Sequence, residues 1–573
     1  MLPLLLAQLV APPLQNSPVR LPGPGAAEQR PRPNQPAPPV EVENGTPQPR
    51  QPTPLTPTES TPPTESKPTS TPTGPHGALP RIQGLNLYSP AELQKILASC
   101  NAIVDPAERL KACAAALTAR LVADGYVNTR VYVETRPAPG YLDVVQGRVV
   151  ELRVNSKDPR LAKRVQRLLL PLQGRVLQLA VVQRQLELLK RLPGVTEVRG
   201  NLSRLGSDPT QAVLTVSVQP ARQPWQGEFS LRNDGSNGSG EFRGTGVLVK
   251  TDLATSGDTL LLFGELDSND TPSLGAVITS LSYTVPLADQ LSFTGSFGYS
   301  RRNLIELPSP LDGLSSNQYQ GYGQFEYVVR ETLSQRWSVA AGFSGNRTTT
   351  YLDGGVLPSD VPASAREPQA GYLRLAVAGS GLSGDVSWGG NVYLLQGISG
   401  VTPENQRKEL AQVGVVPGQA TALGALVSAG WGFAPRWQLN ARLGGQVAFN
   451  PLTSPMQFTL GSDVGIRGLP GQLISGDSGW LATGELVWTF WQHKGNALQL
   501  VPFIGAGGIT TNLSTSSYAD SVGSGGLLAR WLGGDTWAVE LGWAEQFNTN
   551  DNLGSWEDWL LGSGLYAQVK VRF

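Results

Sequence analysis

Two periodicities divide the chain. Apolar residues recur at helical and short-strand spacing between about Ser89 and Val218, and alternate with polar ones from about Trp225 to Phe573. In the first region, Ser89-Pro90-Ala91-Glu92 predicts a helix start, with Ser as N-cap, Pro at the first helical position and Glu92 closing a capping box. Asp105-Pro106-Ala107-Glu108 repeats the device. The helix it opens carries Leu110, Cys113, Leu117 and Leu121 on one face, and Gly125 stands where a C-cap glycine belongs. Strands follow over 127–134 and 141–145, around the turn Pro137-Ala138-Pro139-Gly140. A related series comes next: a strand over 149–154, helices over 161–170 and 180–192, a Pro193-Gly194 turn, and strands over 195–198 and 212–218. The pattern predicts two consecutive small β-α-α-β-β units, over 79–148 and 149–220.

Beyond residue 221 the helical period disappears. Trp437, Leu439, Ala441 and Leu443 alternate with Gln438, Asn440 and Arg442, and Trp337, Val339, Ala341 and Phe343 with Ser338, Ala340, Gly342 and Ser344. At the end, Leu565, Ala567, Val569, Val571 and Phe573 alternate with Tyr566, Gln568, Lys570 and Arg572. Such stretches recur over about 350 residues, often with aromatics at their ends. Composition sharpens the choice: there are 66 Gly, only 16% of residues are charged, and no apolar run approaches the roughly 20 residues of a membrane helix. A large soluble β protein and a transmembrane barrel both fit these numbers, and the length of the alternating region favours the barrel. At about 20 residues per strand with its connection, 221–573 predicts about 16 antiparallel strands, lipid on one face and a polar lumen on the other. The fold class is thus mainly β, a C-terminal transmembrane barrel behind two small α+β domains. Phe573 ends a strand in phase with its apolar face, the terminal residue outer-membrane barrels commonly present to their assembly machinery.

Residues 11–78, dominated by Pro, Thr, Gln, Ser and Glu, are expected to be a disordered, partly polyproline linker. Residues 1–10 are apolar enough for a signal segment but lack its basic start, so a truncated signal and an ordinary N-terminus both stay open. Forty-five basic residues balance forty-five acidic ones, which argues against a nucleic-acid partner. Cys100 and Cys113, the only cysteines, are expected to be bridged in an oxidising compartment; the alternative is two buried thiols on facing helices. Gly476-Asp477-Ser478-Gly479 has the look of a serine-protease nucleophile segment. A serine nucleophile needs a base, and the two histidines, His76 and His493, lack triad context. No nucleotide-binding or metal-ligating spacing is found, so no enzyme activity and no cofactor is expected.

The segment 458–485 carries seven Gly and one Pro between two good strands. Within a barrel it is a loop, with Arg467 flanked by Gly465 and Gly468. Taken alone, it reads as a solvated extracellular loop sooner than as one folded into the lumen with Arg467 on an acidic wall residue.

Gly465-Ile466-Arg467-Gly468-Leu469 followed by Gly476-Asp477-Ser478-Gly479 resembles the loop motif and downstream segment of two-partner secretion transporters, the TpsB or haemolysin secretion/activation proteins. Gly125-Tyr126-Val127-Asn128-Thr129-Arg130-Val131, with Gly140-Tyr141-Leu142 and Val144-Val145-Gln146-Gly147-Arg148-Val149, resembles their first POTRA domain. Leu192-Pro193-Gly194-Val195 is similar to a turn of the second, and Asn233-Asp234-Gly235-Ser236 to the start of the barrel. The resemblance, over about 79–573, implies periplasmic POTRA domains that capture an unfolded TpsA-like exoprotein. It implies a 16-stranded outer-membrane barrel that conducts the exoprotein outward without ATP, and it places the Arg467 loop inside the lumen. Gly505 stands where the family has an acid, so Glu485 or another wall acid must take the pairing role, or the loop is held differently. The Pro-rich 11–78 segment does not suit the plug helix that family members often carry. A barrel-assembly factor with the same plan is the alternative function, and a diffusion porin a remoter one.

Overall fold

The computed structural model describes residues 43–44, 80–190, 192, 195–220, 225–269, 273–306, 313–513, 518–547 and 558–573. The possible leader, almost all of the 11–78 segment, His76 and Pro193-Gly194 lie outside the described residues. The chain separates into two compact units, one ending at Arg222 and the other running from Gln223 to Phe573.

The first unit holds two α+β modules. In the first, β1 (Arg81–Gln83), α1 (Pro90–Leu97), α2 (Pro106–Ala123), β2 (Arg130–Glu134) and β3 (Tyr141–Val145) form a three-stranded sheet under two helices. Ser89 and Glu92 make both halves of the capping box. Asp105 caps α2 by accepting from the Ala107 amide, and Gly125 follows at φ +88°, a backbone that disfavours a side chain. The second module contains β4 (Arg148–Ser156), α3 (Pro159–Leu169), α4 (Leu179–Lys190), β5 (Val195–Leu205) and β6 (Asp208–Pro220), with β6 central. The two-residue strand Glu43–Asn44 pairs in parallel with Asn201 and Leu202 of β5. Each module has its own core: Leu97, Leu117, Leu121 and Leu142 in the first, Leu161, Val165, Leu186 and Leu214 in the second. Two motif segments meet where the modules join. Asn128 donates to the Thr210 carbonyl at 2.9 Å, and a side chain at Gly147 would collide with Asn128.

The second unit is a closed antiparallel barrel, and the sixteen strands expected from the alternation are present. They are β7 (Trp225–Arg232), β8 (Phe242–Thr251), β9 (Thr259–Ser268), β10 (Leu274–Pro286), β11 (Leu291–Asn303), β12 (Leu314–Glu331), β13 (Gln335–Leu352) and β14 (Gln369–Ser383). The circuit continues through β15 (Val386–Gly397), β16 (Thr421–Ala434), β17 (Trp437–Ala448), β18 (Ser478–His493), β19 (Asn496–Thr510), β20 (Ala519–Gly533), β21 (Trp537–Gln546) and β22 (Leu565–Arg572). Closure pairs β22 with β7. Connections are short on one rim and long on the other, the longest being 449–477. Outward positions are apolar: Phe297, Leu443, Ile504 and Trp543 are more than half exposed, while Ser338 and Ser344, one step out of phase with exposed Trp337 and Phe343, are buried. Near the short-turn rim, Trp437 stacks on Trp488 with ring centroids 5.4 Å apart and Trp337 lies 5.6 Å from Trp388, part of an aromatic girdle. Among the described residues no helix is long and apolar enough to cross a membrane.

The loop lodged in the barrel lumen

The segment between β17 and β18 folds inward. A short ribbon pairs Phe458–Leu460 with Ile474–Gly476, and a turn of 3-10 helix, Ser462–Val464, leads into Gly465 at φ +104°. The loop closes on itself through bonds from the Ser462 and Asp463 amides to the carbonyls of Pro470 and Gly471. Its apolar residues do not face water. Ile466 and Leu469 are buried in a cluster with Phe458, Leu460, Leu481, Ile509 and Val522, several of them wall residues. The solvated-loop reading fails for that reason: the loop carries its own core-forming side chains.

Arg467 reaches the wall. Its Nε lies 2.5 Å from Glu485 Oε1 of β18, and its Nη1 lies 2.8 Å from Glu540 Oε2 of β21. Nη1 also donates to the Tyr566 hydroxyl at 3.4 Å, and the guanidinium lies 6.0 Å from that ring's centroid. The Ser524 hydroxyl donates to the Arg467 carbonyl. Gly505 explains the altered acid position: a Cβ there would lie 3.2 Å from Ile466 Cγ2, so the missing side chain makes room for the loop. Glu485, offered by the sequence as one substitute, is indeed a partner, and Glu540, on a strand the sequence did not connect to it, is the second.

The family model for the haemolysin secretion/activation protein ShlB/FhaC/HecB matches residues 211–527, more than half of the chain. The chain belongs to this family. It is an outer-membrane secretion transporter of the two-partner type. It is 23% identical to the outer membrane transporter CdiB of Dickeya dadantii (strain 3937), over 73% of this chain and 74% of that protein. CdiB from Escherichia coli has a similar structure, with a TM-score of 0.63 and 16% identity, covering 88% of this chain and 93% of that one. BamA from Haemophilus ducreyi lacking POTRA domains 1-3 also shares the fold, with a TM-score of 0.52 and 12% identity over 84% of this chain and 98% of that one.

A second set of charges fastens this transporter's loop, and sequence reasoning missed it. Arg243 of β8, its side chain wholly buried, donates through Nη1 to loop residue Asp463 at 2.7 Å and through Nη2 to Ser236 at 2.7 Å. Its Nε lies 3.3 Å from Asp267 and 3.6 Å from Glu265, both on β9. A side chain at Gly471 would run into Arg243, and one at Gly468 (φ +78°) into Ala544. Arg442 donates to the Val464 carbonyl at 2.8 Å. The available signal was a charged residue in an inward position of a good strand, but pairing needs the register.

The downstream Gly476-Asp477-Ser478-Gly479 segment is a clasp. Asp477, almost fully buried, accepts from the Leu452 amide at 3.1 Å, Gln457 Nε2 at 3.3 Å and the Asn512 amide at 2.6 Å. A side chain at Gly476 would press on the Thr510 carbonyl, and one at Gly479 on the Phe458 ring. Ser478 accepts from the Ala448 amide, and His493 ends the same strand about 50 Å away, so these two make no catalytic pair. Phe573 exchanges backbone bonds with Gly227 of β7, at 3.0 and 3.1 Å, extending the closing seam. Beside the seam, Asn233 donates to the Leu565 carbonyl at 2.7 Å and accepts from the Ala567 amide at 2.8 Å. Cys100 and Cys113 form a disulfide with Cα atoms 5.2 Å apart.

Proposed function

We propose that this transporter takes an unfolded, TpsA-like exoprotein from the periplasm on its two α+β modules, acting there as POTRA domains. It then passes the chain through the barrel without ATP and without enzymatic chemistry, as the Arg467 loop moves aside. The observation that carries the reading is the loop itself. A diffusion porin gains nothing from a segment fastened across its lumen through partly buried ion pairs, whereas a conduit for an intermittent polypeptide needs a seal. Capture by strand addition is supported by β2, which pairs on one side only, with β3, among the described residues. The apolar outer belt suits contact with outer-membrane lipid, and terminal Phe573 suits recognition by the barrel assembly machinery.

The test is a paired proteome of culture medium and outer membrane, with and without the gene. Loss of one large β-rich protein from the medium, with other barrels unchanged, supports transport and names the partner. Depletion of many outer-membrane barrels overturns it in favour of an assembly role, the reading that the shared fold with BamA keeps in view.

A further inference from the structure

The charges that fasten the loop are not simple two-body pairs. Glu540 accepts from loop residue Arg467 on one carboxylate oxygen and from Arg530 Nε, at 2.6 Å, on the other. Glu485 holds Arg467 through Oε1, and Arg530 Nη2 lies 3.9 Å from its Oε2. Arg467 travels with the loop; Arg530 belongs to β20 and stays in the wall. At the second anchor the polarity is reversed. Arg243 holds Asp463, which travels, and also Asp267 and Glu265, which stay.

We propose that Arg530 is a resident counter-ion for Glu485 and Glu540, as Asp267 and Glu265 are for Arg243, so that no charge of the barrel wall is left without an opposite one nearby when the loop leaves. The inference rests on the reading that the loop moves aside during transport. Removing one partner of a buried ion pair is costly chiefly because the other charge is left uncompensated. Here that cost is reduced at both anchors. When Arg467 withdraws, Arg530 already touches Glu540 and needs to close a gap of under 4 Å to Glu485. When Asp463 withdraws, Arg243 keeps two carboxylates. The charges that leave, Arg467 and Asp463, pass into water and regain their hydration. The closed state is therefore held firmly by geometry, while in the open state one uncompensated negative charge, instead of two, is left at the first anchor. Arg530 acts through its neighbours, as a positioning residue for loop release.

The experiment reads loop position directly. Leu469, 1% exposed inside the lumen cluster, becomes a thiol reporter as Leu469→Cys in the full chain, the native cysteines being bridged. Labelling by a water-soluble maleimide during export, and in reconstituted lipid bilayers, then reports the loop-out state. Arg530→Gln added to this parent should slow labelling about tenfold, because loop release would then take from Glu485 and Glu540 the second of their two arginines; the modest factor allows for a partly hydrated lumen. Arg530→Lys should restore most of the rate. If Arg530 merely braced the wall, its loss would loosen the loop and speed labelling. Equal or faster labelling therefore overturns the inference while leaving transport intact. If the parent does not label even during export, the loop does not leave, and both readings fall. Should Arg530→Gln fail to insert, Glu265→Gln probes the other anchor, where slower labelling is again expected and an unchanged or faster rate counts against the idea.

Discussion

Placing an acid at position 505, where the family motif has one, should unseat the loop of this transporter instead of securing it. Gly505 lies on β19 opposite Thr483, and a Cβ added there would sit 3.2 Å from both Ile466 Cγ2 and Thr483 Cγ2 and 3.5 Å from Ile466 Cα. Ile466 is fully buried, so it cannot yield by swinging into water. Forcing extra atoms into such a contact costs about 1–3 kcal/mol. The added carboxylate gains little in return. Arg467 already commits Nε to Glu485 and Nη1 to Glu540, and two arginines balance two glutamates in the cluster. A third carboxylate would leave it net negative. Taking about 2 kcal/mol as the result, Gly505→Asp should shift the loop toward the open state by about 30-fold. Single-channel recording in planar bilayers would show this as a matching rise in open time, with Gly505→Ala giving a smaller rise from the steric term alone. A pore that closes more firmly with Asp at 505, or one that behaves as the parent does, would refute the claim that the acid has been relocated to Glu485 and Glu540.

Asp477→Ala should lower the temperature at which the folded barrel band converts to the unfolded one on a gel, since it leaves the Leu452 and Asn512 amides without their acceptor, a loss of about 2–4 kcal/mol; an unchanged temperature would count against the clasp. Reducing the Cys100–Cys113 bond, whose partners are 13 residues apart, should destabilise the first module by about 3 kcal/mol in urea, and alkylation of both thiols without reductant would show that no bond was there to reduce. Hydrogen bonds from the Ser89 amide and hydroxyl hold the Glu92 carboxyl below its usual range. The cap's stabilisation is therefore fully present above the unfolded carboxyl value near 4.3 and is lost as pH falls through the lower folded value. Circular dichroism melts from pH 7 to 3 should show a shallower acid limb in Glu92→Gln; identical limbs would remove the capping box from the account.

What could be read in advance follows from the range over which each signal acts. Helix caps and short-strand alternation are local, so α1 begins at the predicted Ser89 cap and β3 spans the predicted 141–145. β1 has three residues, too few to show a period, and it is recognised only through its pairing with β3. The strand expected over 195–198 runs on to Leu205 because Gly206, at φ +64°, turns a hairpin there; its arms are polar enough to read as a loop. Barrel alternation was equally legible, since lipid selects one face of every strand. Register was not. Glu540 meets Arg467 and Arg530 only once β18, β20 and β21 are placed side by side, and Arg243 meets Asp463 across 220 residues of chain.

The loop's inward course had a signal of its own that a polarity count obscures. Glycine is the commonest residue of 458–485, which is what a solvated loop would show. Ile466 and Leu469 bracket Arg467 at the tip, and a loop tip in water has no use for two large aliphatic side chains beside its one arginine. Once they are taken as wall contacts, the glycines acquire separate tasks. Gly505 admits Ile466, Gly468 admits the loop backbone against Ala544, and Gly471 lets Arg243 pass to Asp463. Apolar contact alone would hold such a loop without fixing its rotation in a round lumen. Two anchors of opposite polarity do fix it, because a turned loop would set Arg467 beside Arg243, or Asp463 beside Glu540. The departure at Gly505 is therefore compatible with the family's mechanism: the acid is supplied from neighbouring strands, and the vacated volume is filled by the loop.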